Sequence, residues 1–461
     1  MSNSLEFFLY SLIWIFSFFL FVYIVKKLKF NNIGLGLIYF FNFSIVHFWG
    51  SVFFILPNYW NEGIELTLLG YRYSTIGIVS YFLGYIFYIK FVSRNGNIRK
   101  IKSKKYLGNE PLLYFLIGIV IFFVLRSRLQ GLPTVTVFVS MGQQLMIVGL
   151  CLLLYKTYIL RKYISFFSLL IFSALIPFIT ILSHGFLGTG LSMFITVLIF
   201  MSNFYRFNFR YLLIFLFAIY LGLSFYQSYL RDRHEIRDLV WGGAVYSQRI
   251  DQLLYTVTNL TLFNPFNTEQ LDRVDDRLNQ NRIIGASVDY MSNGNIEYEK
   301  GRTFKTGIIN LVPRIIWKNK PIKAGDTSRV EKYTGLKFQS NTSVGMPHVM
   351  ELYVNFAIFS VVIGFILIGF IFSYMDNKSY ITLHNYQFNK FVLYFLPALA
   401  FMRTETPFID NISAGVAGGI IAYGLQKLPK QYNSLLFFII TFLIVLFIVK
   451  KYYLPLVENL I

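Results

Sequence analysis

Long apolar runs joined by short polar segments dominate this chain. Twelve runs approach the roughly 20 residues that a helix needs to cross a bilayer core about 30 Å thick. They cover 5–25, 33–56, 73–92, 112–126, 134–155, 163–182, 186–204, 211–227, 352–374, 390–402, 410–426 and 434–450. The first lacks a basic leader and no small-residue cleavage site follows it, so it reads as a retained span rather than a cleaved signal. The run at 390–402 is short and contains Pro397, which a membrane helix tolerates where neighbours satisfy the freed backbone groups. Between the eighth and ninth runs the pattern lapses, and residues 228–350 mix charged, polar and apolar positions as a soluble segment does. The expected organisation is an all-α polytopic membrane protein of about twelve spans. Residues 1–227 form an N-terminal bundle, 228–350 a large loop with interfacial helices, and 351–461 a C-terminal bundle.

Composition sharpens this picture. Only 14% of the 461 residues are charged and 56% are apolar, against about 25% charged in soluble domains. With 51 Phe and 33 Tyr the chain is also far too apolar to be disordered. The net charge of +20 would suggest nucleic acid on a soluble protein. Here the cations fall mostly between apolar runs, where they orient the chain instead. The short loops after the odd-numbered spans carry nineteen Lys and Arg, and the opposite short loops with the C-terminal tail carry six. The cation-rich side is therefore expected to be cytoplasmic. Both termini and the large loop then face outward, since long segments translocate largely regardless of charge. The single cysteine, Cys151, lies inside an apolar run, which leaves no disulfide framework and no cysteine-based metal site.

The large loop holds the candidate chemistry. Arg231, Arg233 and Arg237 follow span eight among Asp and Glu. They read either as a solvated helix end with weak ion pairs or as a phosphate clamp, for which the guanidinium fork is suited. Val245, Ile250, Leu253, Leu254, Val257 and Leu260 recur at helical spacing beside Arg249, which predicts an amphipathic helix on the bilayer or on the bundle. Asp272, Asp275 and Asp276 mix with Arg273, Arg277 and Arg282 and read as a solvated helix face; no His or Cys spacing supports a metal site. From Gly301 and Arg302 the chain runs to Pro313, Arg314, Trp317, Lys318, Lys320 and Pro321. Cations interleaved with interfacial apolar residues fit either a membrane-surface anchor or a site for a lipid with an anionic head. His348 and Glu351, three apart at the outer mouth of span nine, share a helix face if the helix has begun. Either one is a candidate general base, and an arginine-paired Glu is the plainer reading. His184, Arg403 and Glu405 lie in the tight turns between spans six and seven and between ten and eleven.

Two stretches carry a family resemblance. Val312-Pro-Arg-Ile-Ile-Trp-Lys-Asn-Lys-Pro321 and Glu351-Leu-Tyr-Val-Asn-Phe356, set in a polytopic chain with one large late outer loop, resemble the bacterial oligosaccharide repeat-unit polymerases. These are the O-antigen or capsule polymerases of the Wzy type. Many of those proteins carry Ser-Arg-Gly where this chain has Ser183-His184-Gly185, and a glycine often follows their Asn-Phe where this chain has Ala357.

The resemblance implies a GT-C-like membrane glycosyltransferase that needs no cofactor, metal or nucleic acid. Such an enzyme moves a growing glycan from undecaprenyl diphosphate to the non-reducing end of another lipid-linked repeat unit, on the outer face of the cytoplasmic (inner) membrane. Its partners would be undecaprenyl-diphosphate-linked oligosaccharide, membrane lipids, a flippase and a chain-length regulator (a polysaccharide co-polymerase). The residues expected to act are Arg314 and Lys320 on the diphosphate, with Arg249, Arg231 and Arg233 as further ligands. Glu351 or His348 would act as base, and Arg302, Arg403, Glu405 and His184 are additional candidates. Two alternatives share the features: an O-antigen ligase-like transferase, and a lipid-linked oligosaccharide flippase or other transporter.

Overall fold

The computed structural model describes residues 3–56, 59–60, 62–92, 108–125, 133–204, 212–312, 317, 325–339 and 344–427. All regular structure among the described residues is helical. Among the described residues, six helices are long and apolar enough to cross a membrane: α1 (Asn3–Lys27), α4 (Ile64–Phe87, extended to Val92 by a π turn), α6 (Pro133–Ile159), α7 (Tyr163–His184), α15 (His348–His384) and α17 (Phe408–Lys427). Shorter apolar helices lie between them: α2 (Leu35–His47), α3 (Trp49–Phe53), α5 (Glu110–Val120, also extended by a π turn), α8 (Leu187–Ser202) and α16 (Phe388–Leu399). The chain is thus an α-helical protein built for a membrane. Eleven of the twelve apolar runs fall in helical segments, and the run at 434–450 lies outside the described residues.

Aromatic stripes and small residues set the packing. On α1 the buried residues Phe7, Trp14 and Phe21 recur every seventh position, which keeps one seam facing a neighbour. Phe7 stacks on Phe54, Trp14 on Tyr71 and Phe21 on Phe82. Other α1 side chains, such as Phe16 and Phe19, are exposed, as a lipid-facing surface requires. Helix α4 is the hub. A Cβ on Gly84 would sit 1.9 Å from the Ile366 carbonyl oxygen, and one on Gly369 2.0 Å from that of Tyr81. Only glycine permits so close a crossing of α4 and α15.

The segment 228–350 is not set apart from the bundle. It forms α10 (Tyr246–Thr258), α11 (Thr268–Leu278), α12 (Asn281–Ser292), α13 (Arg302–Leu311) and α14 (Asp326–Thr334). Helix α12 meets α4 backbone to backbone, since a Cβ on Gly285 would lie 1.7 Å from the Leu66 oxygen. Asn281 anchors the same joint. Its amide donates to the His47 carbonyl (2.6 Å) and to Ser51 Oγ (2.7 Å), and its oxygen accepts from Ser74 Oγ (2.7 Å).

Span nine differs from the expectation. Helix α15 breaks at Phe356 (φ −143°, ψ 38°) and Ala357 (φ 51°, ψ −143°). Ser360 Oγ donates to the Leu352 carbonyl at 2.5 Å, and a Cβ on Gly364 would press on the Leu352 side chain. Eight residues of straight helix span about 12 Å, so residues 348–355 fold back along 358–384. The turn is sealed from outside. The amides of Glu299 and Lys300 donate to the carbonyls of Val354 (2.8 Å) and Asn355 (3.2 Å), and Asn355 accepts from Gly301 N and donates to Thr303 Oγ1. His348 and Glu351 are therefore buried within the bundle, because the short segment that carries them folds back.

Candidate functional site

Helix α9 (Leu212–Trp241) does not stop where its apolar run stops at 227 but continues for almost four more turns. Tyr226, Tyr229, Leu230, Arg233 and Arg237 fall at helical spacings of three and four along it, and so share one face. That face lines a cavity of about 220 Å³. Arg277 and Gln280 close it from α11 and the joint after it, Arg403 and Glu405 from the turn between α16 and α17, and Leu187 to Thr189 from the start of α8. Asn42 and Ser192 meet in its wall, where Ser192 Oγ donates to Asn42 Oδ1 at 2.5 Å.

Four arginines therefore converge on one space with a single carboxylate, Glu405, among the lining residues. Arg403 is within ion-pair distance of it at 3.4 Å. Arg233, Arg237 and Arg277 make no ion pair among the described residues. Arg237 instead donates to the Gly185 carbonyl (3.3 Å) and lies over the rings of Phe186 and Trp241. Burial, the Arg277 charge and the Arg237 charge together hold the Arg233 guanidinium down to about 10. Arg237 is also lowered, chiefly by burial, with Arg277 adding to it. Crowded cations of this kind lack counter-charge, and an anion with several oxygens would supply it.

The other expected residues are placed elsewhere. Arg231 points away from the cavity, pairs with Asp232 at 2.7 Å and donates to the Asn259 carbonyl and Thr261 Oγ1. Arg249 donates to the carbonyls of Ala244 (2.9 Å) and Leu182 (3.1 Å) and stacks on Tyr246. It ties helices together. The His184 ring stacks on Phe122, 4.9 Å between centroids, and Arg302 is exposed at the start of α13. Arg314, Lys318 and Lys320, with Pro313 and Pro321, lie outside the described residues.

His348 and Glu351 come together, but not at the arginine cavity. Both are fully buried. His348 Nδ1 is 3.1 Å from Tyr39 Oη and its Nε2 is 2.6 Å from Asn411 Nδ2. Glu351 accepts from the Ile409 amide at 3.2 Å and lies 3.9 Å from Arg329. Arg329 also reaches Asp326 (2.7 Å) and Asp410 (3.8 Å), so one arginine of α14 gathers three carboxylates from three elements.

Residues 58–404, most of the chain, match the family model described as "Domain of unknown function (DUF8712)". The chain belongs to this family. No curated protein matches it, and no solved structure does. The DUF8712 match contains Arg233, Arg237, Arg277 and Arg403, and it ends one residue before Glu405.

Arg277 is the member of this cluster that the sequence hid. In the Asp-Arg mixture of 272–282 it reads as part of a solvated face; it is exposed, and it stands at the rim of the cavity. Helix α11 divides that mixture in three: Asp275 is buried, Arg273 pairs with Glu269, and Arg277 turns to the cavity. The alternation of burial along α11 was the available signal, since Leu271, Val274 and Leu278 mark its inner face.

Proposed function

We propose that this protein is a membrane glycosyltransferase that polymerises lipid-linked oligosaccharide repeat units. It would have twelve spans, a GT-C-like plan and its large loop on the outer face of the cytoplasmic membrane. The observation that carries the reading is the cavity in which Arg233, Arg237 and Arg277 converge without carboxylate partners. A polyprenyl diphosphate is the anion such a place suits, because its charge grows as it leaves and fixed guanidinium groups stabilise that growth. The acceptor hydroxyl attacks the anomeric carbon of the donor glycan, a new C–O bond forms, and the bond from that carbon to the diphosphate oxygen breaks with its electron pair. Glu405, the carboxylate of the cavity lining, receives the hydroxyl proton. Two lipid-tethered substrates held head to head gain the proximity that the transfer needs. A flippase would deliver the repeat units, and a chain-length regulator would limit the product.

Purified protein in nanodiscs, given lipid-linked repeat units, is the test. The reading expects a ladder of lengthened glycans on a gel. It also expects Arg233→Ala and Glu405→Gln to leave single units, at protein levels equal to wild type. Transport of the lipids across vesicles without any lengthening would replace the polymerase by a flippase. A full ladder from Glu405→Gln together with none from Glu351→Gln would move the base to Glu351.

A further inference from the structure

Helix α10 has three faces rather than two. Successive residues turn by 100°, which puts Ile250, Leu254 and Val257 in one stripe about 60° wide. Leu253 and Thr256 lie on a second face and are buried, while Asp251, Gln248 and Gln252 occupy a third. Among the described residues the first stripe is the outward one: Ile250 is 42% exposed, Leu254 54% and Val257 43%. The flanking chain adds to it, with Trp241, Val245, Leu262 and Phe266 all exposed. A soluble loop seldom leaves so much contiguous apolar surface bare.

Two hydrogen bonds fix the level at which this stripe sits. Arg249, on α10, donates to the Leu182 carbonyl, and Trp241 Nε1 donates to the His184 carbonyl at 3.3 Å. Both acceptors belong to the last turn of α7, a helix able to cross the membrane. Helix α7 leaves Ile164, Phe167, Ile171 and Leu175 exposed along its length, so an apolar surface leads up to the point where α10 is pinned. The indole of Trp241 lies at the same level, where tryptophan favours the border between headgroups and chains.

We infer that α10 is an interfacial helix whose Ile250–Leu254–Val257 stripe embeds in the lipid leaflet at the C-terminal end of α7. Helices with one apolar and one polar face lie in the membrane plane in this way. The inference rests on the membrane character of the bundle and is independent of the proposed polymerase activity. It also has a use for the site, because Trp241 covers Arg237 and the leaflet thereby holds one wall of the arginine cavity at headgroup level.

The test uses full-length protein in phosphatidylcholine vesicles. Leu254→Cys and, separately, Asp251→Cys are labelled with an environment-sensitive fluorophore; Cys151 is fully buried and unmodified protein reports any background. Lipids carrying a nitroxide high on the acyl chain should quench the probe at 254 several-fold more than the probe at 251, and emission at 254 should shift to the blue. Equal quenching at both positions would overturn the inference. So would rapid disulfide formation between two copies at position 254, which would make the stripe a contact between copies. Should Leu254→Cys fail to fold, Ile250→Cys lies on the same stripe and carries the same expectation.

Discussion

Arg233 on α9 and Arg277 on α11 line one cavity from two helices, and the Arg277 charge helps burial to weaken the hold of Arg233 on its proton. The two charges repel, and because Arg277 is exposed solvent screens much of that repulsion. Arg277→Ala should therefore leave thermal stability unchanged or slightly raised, while polymer formation falls on the order of 100-fold, the usual scale for losing one donor to a developing oxyanion. Melting in detergent and a glycan ladder measure the two sides. A lower melting temperature with full activity would make Arg277 a packing residue.

Ala357 occupies φ 51°, ψ −143°, a region that glycine enters freely and alanine does not. Ala357→Gly should relieve this strain. Positive φ with ψ near −150° costs an L residue about 1–3 kcal/mol, partly offset by the extra freedom glycine gives the unfolded chain, about 0.4–1 kcal/mol. A net gain between nothing and about 2.6 kcal/mol follows, and Ala357→Val should lose stability. Thermal melting of the two variants beside wild type decides it.

Arg329 joins α14 to the folded-back segment through Glu351 and to the start of α17 through Asp410. Arg329→Met removes one charge partner from the buried Glu351 and should lower stability, by at most the roughly 3–5 kcal/mol that breaking a buried pair costs. Adding Glu351→Gln should return part of that loss, because the Arg329–Glu351 attraction is then no longer there to be missed. A double-mutant cycle on melting temperature measures the recovery, and strictly additive losses would mean the two groups do not interact.

Asp275 is buried, and burial pushes its carboxyl up to about 7 despite the Asn279 hydrogen bond. The folded state then holds this proton more tightly than the unfolded chain. Stability from this group is complete below the ordinary carboxylate range, declines as pH rises from about 4 to about 7, and is flat above. Asp275→Asn should thus be near neutral at pH 4 and stabilising at pH 8, by at most about 4 kcal/mol. Melting curves at the two pH values test the sign, and a variant that loses stability at pH 8 would refute it.

Periodicity revealed the helices, because a membrane span announces itself by length and hydropathy alone. The arginines at 233 and 237 were visible as a pair four residues apart, and Arg403 and Glu405 as polar groups in a turn between spans. Their meeting was not visible, since it depends on α9 continuing past residue 227 and on α11 presenting Arg277 beside it. The break in α15 was hidden for a different reason. Its hydropathy is unbroken across Phe356 and Ala357, and the groups that stabilise the turn, Glu299 to Thr303, lie far back along the chain. Asn355 held the clue: a polar amide in an apolar helix must find partners, and here they are Gly301 and Thr303.

The elbow at 356–357 also constrains how the chain can be made. The amides of Glu299 and Lys300 leave the ribosome before the carbonyls of Val354 and Asn355 that they serve, so the receptor for the elbow is already synthesised when the elbow reaches the bilayer. A permuted gene that reversed this order would leave those two carbonyls without their backbone donors until the later segment arrived.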